Sequence, residues 1–160
     1  MYVPFDELPA DARVWVYQCS RALQPAEAAE AEALAQQFLS GWQAHGTPLR
    51  ASAKIAFGRF LVLGADQAYH APSGCSIDAS VAFVKQLELR FNASFFERTQ
   101  IPFRLPGGIE TVPLSGMKAA VASGKIGPDT PTFNPQVGEK ADLETRWEVP
   151  AANTWLSKYF

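Results

Sequence analysis

"LRASAKIAFGRFLVLGAD", residues 49–66, sets two short runs of small, aliphatic and aromatic residues on either side of Gly58. Two such runs joined through a glycine predict a β-hairpin. Upstream, "RVWVYQCS" (13–20) is dense in β-branched and aromatic residues and predicts a buried strand. Between them, "QPAEAAEAEALAQQFLSGWQAHG" (24–46) predicts a helix. Pro25 suits its first turn, and Glu27, Glu30 and Glu32 complement the positive end of its dipole. Leu34, Phe38 and Trp42 recur every four residues as the expected buried stripe, with Gly46 as the stop. A second helix is expected over about 76–91, with Val84, Leu87 and Phe91 on one face and Val81 and Phe83 widening it.

Beyond it, "IPFR" (101–104) and "ETVPL" (110–114) bracket "LPGG" as a second hairpin. "SGMKAAVASG" (115–124) predicts a short helix stopped by Gly124, and "DTPTF" (129–133) a short strand. "EKADLETRWEV" (139–149) predicts a final helix, and "PAANTWLSKYF" (150–160) a docked apolar tail. The fold class is α+β. The first hundred or so residues read β-α-β-β-α-β, an order that predicts a ferredoxin-like core over 1–100: four antiparallel strands with both helices on one face. A small ββαβ subdomain is expected over 101–135, and a helix and tail packed on the core over 136–160.

Composition bounds the function. The 160 residues are 48% hydrophobic and 19% charged, ordinary globular values, with a net charge of −2. The 14 Lys and Arg are scattered, so nucleic acid is not an expected partner. No apolar run reaches membrane-spanning length, and the start "MYVPFDELPADARV" lacks the basic and apolar regions of a signal peptide. A soluble, cytoplasmic protein is therefore expected. Cys19 and Cys75 suit a reducing compartment and have no zinc-ligand spacing, so neither metal nor cofactor is expected.

The expected topology brings the end of the first helix and the start of the second to one edge. His45, Asp66, His70, Cys75, Ser76 and Asp78 gather there, while Cys19, Ser20 and Arg21 lie at the opposite end. A seven-residue strand spans roughly 23 Å, too far for a Cys19–Cys75 disulfide.

"VWVYQCSRAL", "FLSGWQAHGTPL", "RFLVLGADQ", "GCSIDASVAFVKQLE" and "RWEVPAANTWLSKYF" resemble an uncharacterised bacterial family of about this length, whose members often carry the label "ABC transporter ATPase". The resemblance covers nearly the whole chain and implies no activity and no catalytic residues. The label fails on chemistry: such an ATPase needs a G-x-x-x-x-G-K-[ST] loop for the nucleotide phosphates. "GKIGPDT" (124–130) has no second Gly five residues upstream, and Ile follows the Lys. ATPase activity is excluded. Locally, "PLSGMKAAVASGKIGPDTPTF" within 101–133 is similar to the core of bacterial GYF-like domains, relatives of proline-rich peptide binders; their Gly-Tyr-Phe signature is absent.

"PSGCSIDAS" (72–80) holds the candidate chemistry. A thiol at a helix start sees free amides and the positive dipole, which favour its thiolate. Cys75 could act as a nucleophile with His45 or His70 as base and Asp78 or Asp66 orienting the imidazole; packing as a small apolar residue is the commoner role of such a thiol. Ser73, Gly74, Cys75 and Ser76 could instead cradle a small anion, or Ser73 and Ser76 could only cap the helix. Arg21 could hold an anion at the far end, or a surface ion pair. Trp147, Trp155, Tyr159 and Phe160 call for burial, on this chain or across a homodimer. The favoured function is a non-catalytic small-anion binding or regulatory module at 73–78. The alternatives are a cysteine-dependent enzyme and a protein-interaction domain.

Overall fold

Strand β5 (Phe60–Ala65) is buried at all six positions and lies between β1 (Arg13–Gln18) and β4 (Ala51–Ala56). Both neighbours run antiparallel to it, from Arg13↔Ala65 to Gln18↔Phe60 and from Ala51↔Ala65 to Ala56↔Phe60. The computed structural model describes residues 1–160. They divide into two units: Met1–Glu97 with Gly138–Ala141, and Arg98–Val137 with Asp142–Phe160. Both are mixtures of helix and antiparallel sheet, so the α+β class holds. No helix is long and apolar enough to cross a membrane.

The β4–β5 hairpin forms where the glycine signal put it. Phe57 and Gly58 both adopt left-handed φ, 56° and 64°, and the Arg59 N–H closes the turn on the Ala56 carbonyl. Such primed turns match the twist of the flanking strands.

Helix α1 (Pro25–Ser40) begins with the Gln24 N–H donating to Glu27 Oε1 at 2.9 Å. It ends six residues before Gly46, at a Gly41 cap. The chain then turns back as a miniature hairpin of β2 (Gln43–Ala44) and β3 (Thr47–Pro48). His45 and Gly46, at φ 51° and 78°, are its two turn residues. A glycine after a residue tolerant of left-handed φ serves a hairpin turn as readily as a helix stop, so this local signal was ambiguous.

The buried stripe of α1 is Ala31, Ala35 and Leu39, one position away from the expected one. Alanines let the helix axis approach the sheet closely, and the larger Leu34 and Phe38 fill the flanks. Helix α2 (Gly74–Phe91) buries Phe83, Val84, Leu87 and Phe91, as its periodicity predicts, together with Ser76 and Ser80. Phe38 stacks on Phe83 with ring centroids 4.6 Å apart, and Trp15 meets Trp42 edge-on at 6.1 Å.

No fourth strand closes this sheet. "IPFR" forms β6 (Gln100–Leu105), which pairs along its length with β7 (Gly108–Pro113), as the second hairpin expects, and on its other edge with β8 (Pro131–Phe133). A two-residue loop makes the β6–β7 pairing cheap in closure entropy. A strand has only two edges, so none remains for β1. The outer edge of β1 is instead met at its ends: Val14 N–H donates to Gly138 O, and Glu97 N–H to Gln18 O. The first sheet thus has three strands, not the expected four.

The second unit holds the sheet β7-β6-β8-β9, helix α3 (Met117–Ala122) and a short α4 (Lys140–Thr145) that starts in the first unit. The expected final helix stops there, because 148–150 forms β9 (Glu148–Pro150) beside β8. Trp147 is buried edge-on to Phe133 at 5.3 Å. In the tail, Leu156 and Tyr159 pack with Ile101, Phe103 and Met117, whereas Trp155 and Phe160 stay 45% and 41% exposed.

One core atom lacks a partner. The Ser52 hydroxyl, on β4 opposite Gly64, is fully buried without a hydrogen bond. An unmade buried bond costs about 1–3 kcal/mol. Ser52→Ala is therefore expected to raise stability by about 1 kcal/mol in urea unfolding. A loss of similar size would show that the hydroxyl has a partner.

Candidate functional site

The start of α2 is built by reciprocal serine capping. Ser73 N–H donates to Ser76 Oγ at 2.8 Å, and Ser76 N–H donates to Ser73 Oγ at 3.2 Å. The Ser76 hydroxyl then donates to the Ser73 carbonyl at 2.8 Å. Both hydroxyls are spent on the backbone. The Gly74 and Cys75 amides, at the next two positions, have no protein acceptor. Both residues are exposed, and no acidic residue occupies the first turn.

Three attachments hold this turn beside the end of α1. Trp42, buried just past α1, donates its indole N–H to the Ser76 carbonyl at 2.8 Å. His70 Nε2 lies 3.2 Å from the Ala44 carbonyl, which neutral and protonated imidazole can both satisfy as donor. Asp66, 8% exposed, knots the incoming loop: its Oδ1 accepts from the Ala68 and Tyr69 amides at 3.1 Å each. Its Oδ2 pairs with Arg50 Nη1 at 3.1 Å. The edge expected from the topology thus exists, tied through Trp42 and Ala44 on one side and Ser76 and His70 on the other.

The residues placed there do not assemble a thiol-base pair. Cys75 is exposed and its sulfur has no hydrogen-bond partner. His70 is engaged with Ala44, and His45 is exposed at the hairpin tip. Asp66 is spent on its loop and Arg50, so it does not pair with Asp78, an exposed residue on α2. No three His, Cys, Asp or Glu side chains cluster in a way that could hold a metal. Sequence reasoning missed Arg50 and assigned Trp42 only to a helix stripe; neither carries a local signal for its role, since both partners lie far along the chain.

Arg21 lies at the other end, as expected, and is fully engaged. It grips Glu27 with Nη1 and Nη2 at 2.8 and 2.7 Å, and its Nη2 also donates to the Phe91 carbonyl at 2.6 Å. This joins the start of α1 to the end of α2 and leaves an ion pair where an anion site was considered. Cys19 beside it is fully buried, which pushes its thiol pKa up. Hydrogen bonds from Arg21 and then from the Gln24 amide hold the Glu27 carboxyl down at about 2, from the usual 4.5. A depressed carboxyl stabilises the fold fully above its unfolded pKa and loses that contribution as pH falls through the folded one. The stability advantage of the native chain over Glu27→Gln should therefore be constant near neutrality and vanish between about pH 4.5 and 2, as read by urea melts across that range.

The two thiols differ in access by geometry alone. In the folded protein, iodoacetamide should modify Cys75 only, with Cys19 reacting after denaturation; mass spectrometry of the native adduct decides, and native modification of Cys19 would contradict its burial. No protein-family model matches the chain, and no curated protein or solved structure matches it significantly.

Proposed function

We propose that this chain is a non-catalytic binding module that holds a small anion, a phosphate or a carboxylate, at the start of α2. One observation carries the reading. The Ser73–Ser76 capping leaves the Gly74 and Cys75 amides without acceptors on an exposed turn. Two adjacent donors at the positive end of an 18-residue helix suit an anion. The Trp42, His70 and Asp66 attachments support it further, since a turn already held in place loses little freedom on binding. The thiol-enzyme alternative lacks comparable support, because no imidazole engages the Cys75 sulfur. A protein-interaction role, a homodimer included, draws support from exposed Trp155 and Phe160.

The same reading extends to the fold and its setting. We read the first unit as a ferredoxin-like βαββα arrangement whose fourth strand has gone elsewhere; the strand order β1-β5-β4 supports this. The β6-β7-α3-β8 succession supports the local GYF-like resemblance. Membership in the bacterial family rests on the sequence stretches that resemble it. Two unpaired thiols support a cytoplasmic location.

Titration of inorganic phosphate into isotope-labelled protein should shift the Gly74 and Cys75 amide resonances saturably. Asp78→Asn, which removes a carboxylate one turn along the helix, should tighten binding by about threefold. Shifts at these two amides no larger than the chain average would overturn the reading.

A further inference from the structure

We propose that the N-terminal arm, residues 3–12, is a lid over the second face of the first sheet, and that Lys140 is its latch. The arm carries a short 3-10 helix, Phe5–Glu7, whose last carbonyls are taken by two cations from distant parts of the chain. Lys140 Nζ donates to Asp6 O at 3.0 Å and to Leu8 O at 2.6 Å. Arg50 Nη2 donates to the carbonyl between them, Glu7 O, at 3.1 Å. The ammonium of Lys54 lies 4.4 Å from the Phe5 ring centroid, and that of Lys140 lies 5.8 Å from it. The backbone of the same strap adds two bonds, Lys140 N–H to Ala12 O at 2.8 Å and Ala141 N–H to Ala10 O at 2.9 Å.

The arm is separable because its buried apolar residues cluster apart from the main core. Val3, Leu8 and Ala12, with Phe5 against them, form a small cluster, and none of residues 3–12 belongs to the main core. Leu8 seats where Gly64 has no side chain: a Cβ there would stand 2.7 Å from Leu8 Cδ1. A segment with few apolar contacts, held by partly exposed polar bonds, opens at lower free energy than the core beneath it. Charge-assisted bonds are about twice as strong as neutral ones, so the Lys140 amine is the largest single restraint on the side facing the strap. Arg50 is shared with Asp66 and acts as the hinge-side anchor.

Hydrogen exchange on the full chain tests the latch. The amides of Glu7, Leu8 and Ala12 close turns within the arm and report its opening. In Lys140→Gln they should exchange about tenfold faster, while those of β5 keep their native rates. Lys140→Arg keeps the charge and the donors and should restore near-native protection. Gly64→Ala, which pushes on Leu8 from beneath, should speed exchange at the same three amides. The latch is overturned if Lys140→Gln leaves them unchanged, if exchange rises equally in β5 or the fold is lost, or if Arg fails where Gln fails.

Discussion

A strand buried on both faces makes demands in two directions, and β5 is such a strand along its whole length. Each of its larger side chains, Phe60, Leu61, Val62 and Leu63, is worth about 1.5–3 kcal/mol when taken out of water. That gain needs a cover on each side. On one side α1 and α2 pack over Leu61, Leu63 and Ala65, brought close by Ala31 and Ala35. On the other side the N-terminal arm supplies Leu8, admitted by the missing Cβ of Gly64. The small residues matter here as much as the large ones, because they set how closely each layer can approach.

The two helices, once seated, determine which chemistry meets. Their opposed directions put the end of α1 beside the start of α2 at one edge, and the end of α2 beside the start of α1 at the other. Each edge is then fastened by a polar bond to a carbonyl: Trp42 to Ser76 at the first, Arg21 to Phe91 at the second. Arg21 is consumed by its task, together with Glu27. The first edge spends Trp42, His70, both serine hydroxyls and Asp66, and still leaves two amides facing outward. Those two amides carry the functional reading.

Particular residues show how far the sequence could be read. Gly58 announced its hairpin because a left-handed turn leaves a compositional mark at the turn itself. The arrest of α3 near Gly124, at φ 78°, was legible for the same reason, and the buried face of α2 from its helical period. Gly46 misled, since a helix stop and a hairpin turn ask for the same backbone freedom. The α1 stripe was misplaced by one residue because large side chains drew the eye, whereas close packing selected the alanines. "IPFR" was read correctly as a strand in a hairpin with "ETVPL", whereas the fourth strand expected in the first sheet is not there. Cys75, His70 and His45 were rightly placed toward one end, but their lack of mutual contact was not readable.

Turns, caps and amphipathic faces depend on residues within a few positions of one another, so the chain alone determined the α+β class, strands β1 and β4 to β8, the two long helices, and the serine-rich start of α2. Partner choice is different in kind. Whether β6 joined β1 or β7, and whether Asp66 met Arg50 or Asp78, were competitions that involved groups far apart in sequence. Only the folded chain, which balances closure entropy and desolvation across all of them at once, decided those outcomes.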